Sequence, residues 1–387
     1  KLKRKDIVFM KILLVGEYSR LHNSLKEGLK ALGHEVTLIA TGDYFKNYPS
    51  DIKLHRKYNE GFLKKIRVLI YHLSKVDIAS KNLKKQFFSY QKQLENYDLV
   101  QLINESPLGI SPKDEKAIIS FLKKNNKKMV LLSCGNDYTS VKYAFDKKYR
   151  YSILTPFFEK RVSKDEFSAA LKYLEPEFVA LHRFVFDRVV AVIASDLDYH
   201  LPMKGKTQYF GMIPNPINTD KISFIPNPVE NKVVIFHGVN RGNYLKKGND
   251  FFDAALDQIQ EKYGEKVEII RTENIPYEQY IRSYDRAHIL LDQVYAYDQG
   301  YNALEAMAKG KVVFTGAEKE WLEFYNLRED SVAINALPDV DYLVQKLSGL
   351  IENPEMITTL GKNARDFIER EHHYIKIAQR YLEVYAN

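Results

Sequence analysis

The sequence predicts an α/β protein of two Rossmann-like, doubly wound domains facing a cleft, with the last helices packing back toward the first domain. Three observations carry this. Short apolar runs alternate with helix-spaced segments in both halves of the chain. The Pro-Asn-Pro triplets at 214–216 and 226–228 separate the halves, since neither fits inside a helix or a central strand. At 387 residues the chain is also long for one core.

The elements follow in order. Lys11 to Val15 reads as a buried parallel strand stopped by Gly16, and Ser24 to Leu32 as a helix closed by Gly33. A strand over 35–40 completes the first unit. Strands at 99–103 and 128–133 flank a helix over 113–125 that Ser111-Pro112 begins. Residues 141–188 read as a mostly helical insertion, and 188–195 as another strand. After the linker the alternation restarts: strands at 233–237, 267–271, 287–292 and 311–315, with helices at 250–263, 277–284 and from Gly300 to Lys309. The expected division is 1–228, 229–365 and a last helical segment, 366–387, crossing back to the first domain. Ligands of such sheets bind beyond the carboxyl ends of the strands, which places the site in the cleft.

Composition narrows the function. A single cysteine, Cys134, leaves no internal disulfide or multi-cysteine metal site and suits a reducing, cytoplasmic setting. No apolar run approaches the roughly 18 residues of a spanning helix. Residues 1–9, KLKRKDIVF, read as a basic leader or an upstream-start artefact, with no targeting role. The net charge of +8 is unevenly spread: residues 1–230 carry +14 and residues 231–387 carry −6. Such asymmetry marks a face for polyanions or anionic lipid, or is composition alone. Residues 61–75 set cations at 64, 65 and 67 beside apolar residues at 62, 63, 66, 69, 70 and 73, as in a helix lying on an anionic membrane or a core helix with a charged outer face.

Glu305 poses the sharpest local question. It is the one charged residue in the helical run Ala303 to Ala308, and a buried carboxylate is costly unless partnered or at a cleft. A solvated stripe, or a pair with Lys309 one turn on, would also account for it.

In sequence order, "MKILLVGEYS", "MIPNPINTDKI", "FHGVNRGNYLKKGNDFF", "YDQGYNALEAMAKGKVVF" and "LGKNARDFIEREHHYIKIAQRYLEVY" together resemble the retaining glycosyltransferases of the GT-B fold, of the kind that build bacterial surface polysaccharides. The likeness spans the second domain and the start of the first, and is thin over 44–210. It implies transfer of a sugar from a nucleotide-diphosphate sugar to a saccharide or lipid-linked acceptor, with no metal or cofactor and no nucleic acid partner. By that likeness Glu305 holds the ribose hydroxyls. Gly300 admits a close backbone approach, and the free N–H groups of Gly300, Tyr301 and Asn302 receive the diphosphate. Arg241 and Lys247 neutralise the leaving group, one as a planar fork and one as a point charge. Asn274, in the loop 273–276, faces the base, and Gly16 ends the first strand at the donor. No Gly-x-Gly-x-x-Gly follows Gly16, against a dinucleotide dehydrogenase.

Two departures stand out. A glutamate usual eight positions before Glu305 is replaced by Tyr297, so that Asp298 takes over as the catalytic-side carboxylate or the donor-sugar contacts differ. Ser133-Cys134-Gly135-Asn136-Asp137 keeps the family's aspartate and lacks its histidine. A GT-B epimerase or a non-catalytic nucleotide-sugar binder are the alternatives. Cys134 reads as a core thiol and not a nucleophile, and Asp196-Leu197-Asp198 as a chance Asp-x-Asp.

Overall fold

The computed structural model describes residues 9–43, 47–275 and 277–386; of the expected leader all but Phe9 lies outside these residues, as does Pro276 of the 273–276 loop. The first sheet contains β1 (Lys11–Val15), β2 (Glu35–Ala40), β3 (Ile52–Lys53), β4 (Leu99–Leu102), β5 (Lys128–Ser133), β6 (Ala191–Ala194) and β7 (Tyr209–Met212). It runs β3-β2-β1-β4-β5-β6-β7, parallel throughout. The second contains β8 (Val233–Val239), β9 (Val267–Glu273), β10 (Ile289–Leu291), β11 (Val312–Thr315) and β12 (Ile334–Asn335), in the parallel order β12-β11-β10-β8-β9.

The two doubly wound sheets are therefore as the alternation predicts. β3, β7 and β12 go beyond it. They are two to four residues long and too short for a readable period, and β7 joins β6 through a register shift at Val192/Ile193. Strand order reverses between β1 and β4 in one sheet and between β8 and β10 in the other. Those two switch points fix where a ligand can sit.

The central strands are buried on both faces: Ile12, Leu13, Leu14 and Val15 are wholly inaccessible, as are Ile289 and Leu290. Each such side chain contributes about 1.5–3 kcal/mol on burial, which explains their unbroken apolar runs. The insertion after β5 folds as helices Tyr138–Phe145, Thr155–Phe158, Ser168–Leu171 and Pro176–Phe186 around a small core of Val141, Leu154 and Phe167. It does not stay on its own domain. Arg150 reaches Glu318 at 2.5 Å and Glu320 at 2.7 Å, and Arg161 pairs with Asp250. The insertion thus roofs the cleft.

The linker has its own fastening. Ile217 donates to His372 O at 2.7 Å and accepts from Tyr374 N at 3.1 Å, beside the π-helical turn Ile368–His372. The helix Tyr374–Tyr385 then lies against helix Leu21–Ala31 of the first domain. A Cβ on Gly28 would stand 2.4 Å from Tyr374 O and 2.8 Å from the Ala378 methyl, so only glycine allows that approach. Leu21, Leu25 and Leu29 join Ile377, Tyr381 and Leu382 in one apolar core that continues through to Leu304 and Trp321.

Candidate functional site

At the second switch point, β10 leads into Asp292, whose Oδ1 takes Lys247 Nζ at 3.0 Å and Asn302 Nδ2 at 3.3 Å. Asp292 is buried while Lys247 remains partly exposed, so the carboxylate anchors a cation whose head still meets the cleft. Lys247 owes its place to Gly248, which has φ +71° and would drive a Cβ to 2.7 Å from Val294. The residue after it opens helix Asn249–Tyr263.

Asn302 lies in the first turn of helix Tyr301–Ala308. That helix starts at Gly300 in extended conformation, with no side chain capping its N–H groups. A Cβ at Gly300 would touch nothing closer than 3.9 Å, so the approach to these donors is open. An uncapped helix start beside a tethered lysine is a site for an anion. Tyr280 donates to Asn302 Oδ1 at 3.1 Å and steadies that first turn. Glu305, one turn further in, is half-buried on the same helix.

Arg241 stands in the short turn after β8. Its guanidinium lies 2.7 Å from Glu273 and over the Tyr244 ring at 4.8 Å. Asn274, with φ +48°, donates its N–H to Val239 O at 3.0 Å and accepts the Arg241 N–H at 3.3 Å, joining the loops after β8 and β9. Tyr301 spends its side chain on the domain seam: its hydroxyl meets Ser24 Oγ at 2.5 Å and donates to Pro216 O. Only its backbone N–H faces the anion site.

On the other side of the cleft, Gly16 is enclosed by the chain itself, a Cβ there falling 2.3 Å from Ile103 and 2.5 Å from Pro107 O. Its neighbour Glu17 is buried, takes two hydrogen bonds from Asn23, and is pushed up to about 8 by burial. Ser133 and Asp137 pair at 2.6 Å, with Asp137 capping helix Tyr138–Phe145. Asp137 is therefore spent as a helix cap. Cys134 is half-buried with burial raising its thiol pKa, in keeping with an unreactive residue. His182 meets Glu105 at 2.8 Å, and burial lowers the imidazole to about 4 and raises the carboxyl.

The seam between the switch points is acidic. Asp198 accepts from Tyr297 N at 3.1 Å and Asp298 N at 3.3 Å, and Asp298 in return accepts from Leu197 N at 3.0 Å. Asp196 stands beside them, and burial raises all three carboxyls, Asp298 to about 6 and Asp198 to about 7. Asp298 is therefore a clasp between domains as well as a cleft carboxylate. Tyr297 turns inward: its hydroxyl accepts Arg150 N at 2.8 Å, and the Arg150 guanidinium lies 4.7 Å from its ring centre. Among the described residues no group of three or more His, Cys, Asp or Glu side chains is arranged to hold a metal.

Sequence reasoning missed Asp292, Tyr280 and the Arg150 grip. Asp292 left a signal, as the first polar residue after the apolar Ile-Leu-Leu of β10; the other two depend on contacts distant in the chain.

Two parallel doubly wound sheets facing a cleft, closed by a last helix on the first domain, define the GT-B fold of glycosyltransferases. Residues 240–383 match the family model described as glycosyl transferase-like. The whole chain is similar to sucrose-phosphate synthase from Thermosynechococcus elongatus (16% identity, 97% of this chain and 98% of that one, TM-score 0.62). It is also similar to HepE from Anabaena, solved with UDP and glucose (12% identity, 97% and 99% covered, TM-score 0.58). A glycosyltransferase from Rickettsia africae shows the same coverage pattern (15% identity, 97% of each chain, TM-score 0.53). No curated protein matches the sequence.

Proposed function

We propose that the protein is a retaining glycosyltransferase that moves a sugar from a nucleotide-diphosphate sugar to an acceptor hydroxyl, without a metal, in the synthesis of a cell-surface polysaccharide or glycolipid. The observation that carries this is Lys247, held by Asp292 beside the uncapped start of helix Tyr301–Ala308. The leaving diphosphate lies there, with Arg241 at its edge. The charge that grows on it as the glycosidic bond breaks meets groups already in place. The leaving oxygen takes the acceptor proton on the same face, so no separate base is required. The relatives solved with UDP support the donor class.

Glu305 holds the ribose in this reading. Glu305→Ala weakens nucleoside diphosphate binding by roughly 1.5–3 kcal/mol, the range for a hydrogen bond to a charged group, and leaves the thermal midpoint unchanged. Calorimetry with UDP, GDP and ADP checks it: unaltered affinity for whichever binds removes Glu305 from the site. Incubation with labelled nucleotide sugars checks the reaction. A glycoside or slow donor hydrolysis is expected, and an epimeric nucleotide sugar or binding without turnover would replace the reading.

The place of work is the surface of an anionic membrane. Among the described residues no helix is long and apolar enough to cross one. Helix Gly61–Ser74 has no buried residue, and Phe62, Leu69 and Leu73 are 74%, 60% and 80% exposed along one side. Lys64 and Lys65 flank them, whereas Arg67 is turned inward by Asp77 at 2.9 Å and Asn59 at 2.6 Å. Each lysine near anionic lipid contributes about 1 kcal/mol. Lys64→Gln with Lys65→Gln therefore lowers binding to phosphatidylglycerol vesicles by roughly 30-fold at low salt. Co-sedimentation measures this, and equal partition onto phosphatidylcholine vesicles would end the proposal.

A further inference from the structure

The insertion that roofs the cleft takes hold of the second domain in two places. One is the Arg150 grip on Glu318 and Glu320. The other closes on the segment that carries Lys247. There Arg161 forks: one arm pairs with Asp250, and the other donates to the Tyr295 hydroxyl at 3.3 Å. Its guanidinium also lies 5.8 Å from the Phe251 ring centre. Lys246 Nζ stands over Phe167, a core residue of the insertion, 5.0 Å from the ring centre.

These contacts bracket Lys247. Lys246 precedes it, and Asp250 and Phe251 open the helix that begins after Gly248. Tyr295 follows Val294, whose N–H binds Lys247 O at 2.7 Å. Arg161 therefore ties together the two chain segments that hold the Lys247 backbone. Asp292 fixes the ammonium from within the second domain, while the backbone is steadied from across the cleft. Stability does not account for the arrangement. The Arg161 and Asp250 side chains are 30% and 29% exposed, and a pair so placed adds little to the fold. Without Arg161, Asp250 still stands in the first turn of a helix, where a carboxylate is favoured.

We propose that Arg161 is a positioning residue for Lys247, through which the first domain's insertion sets the lysine against the leaving diphosphate. The proposal rests on the transferase reading above. A preorganised charge works through its placement, and about 1 Å of drift costs up to roughly 100-fold in rate. Glu305 and the start of helix Tyr301–Ala308 belong to the second domain and do not depend on Arg161, so the donor still binds when the grip is lost. What the grip governs is the step in which charge grows on the diphosphate.

Steady-state turnover of whichever labelled UDP-, GDP- or ADP-sugar the wild type consumes tests it. In Arg161→Ala kcat falls roughly ten-fold while KM for the donor moves by less than about two-fold. The loss runs through Lys247, so in a Lys247→Ala background the same change slows turnover by less than about two-fold more. Hydrogen exchange reads the grip directly: the Val294 amide, bound to Lys247 O, exchanges roughly ten-fold faster without Arg161. Should Arg161→Ala fail to fold, Asp250→Asn breaks the same pair from the second domain, keeps a polar side chain at the helix start, and gives the same changes. An equal loss with and without Lys247, or slower turnover with Val294 exchange unchanged, would mean that Arg161 acts by itself. A raised KM at unchanged kcat would make it a donor-binding residue. Either result, or wild-type rates in both variants, overturns the inference and leaves the transferase reading standing. If the wild type consumes none of these donors, that reading falls and the positioning role with it.

Discussion

Lys247→Ala slows sugar transfer by roughly 100-fold or more, the effect of removing one preorganised charge from a developing anion. The same change strips Asp292 of its cation, and an uncompensated buried carboxylate costs the fold about 3 kcal/mol. The two effects must be told apart. Pairing Lys247→Ala with Asp292→Asn removes the stranded charge, so the thermal midpoint recovers while transfer stays slow. Recovery of both would make Lys247 a structural residue only. Transfer by the wild type also persists in a chelator, because Lys247, Arg241 and the helix start supply the positive charge between them. Abolition by chelator, reversed by magnesium or manganese, would contradict the mechanism.

Gly16→Ala destabilises the first domain by about 3 kcal/mol. Two costs combine. At φ +88° an L-residue is strained, and the new methyl meets Ile103 and the Pro107 carbonyl inside van der Waals contact. Against a net stability of about 5–15 kcal/mol for a folded domain, that is a large share. Urea unfolding followed by circular dichroism measures it. A shift below about 0.5 kcal/mol would show that the loop after β4 yields.

Much of the fold was legible because buried parallel strands advertise themselves. Leu13 and Leu290 lie in apolar runs that only a sheet covered on both faces requires. The edge strands were not legible: Ile52–Lys53 is too short for a period to appear. At the site, Gly300 could be read because a glycine before a helix has local physical meaning, whereas Lys247 was read through the resemblance alone. What Tyr301 and Tyr297 do could not be read. One ends on Ser24 and the other on the Arg150 backbone, contacts across 277 and 147 residues of sequence, and nothing in a local window reports them. Asp298 was legible as a cleft carboxylate, but its bond to Leu197 N depends on how the two domains meet. Arg67 was grouped with Lys64 and Lys65 by helical spacing, and a single aspartate ten residues away turns it inward.

Helix Tyr374–Tyr385 seals the apolar flank of helix Leu21–Ala31, and this has a consequence for the order of events on the ribosome. At roughly 5–20 residues per second, the gap between the two helices takes about 20–70 s to translate. Throughout that interval Leu21, Leu25 and Leu29 belong to a domain whose sheet is already made but whose covering helix does not yet exist. The nascent first domain must wait with an adhesive stripe on its surface, open to chaperones and to neighbouring nascent chains. Its folding becomes final only when helix Tyr374–Tyr385 arrives.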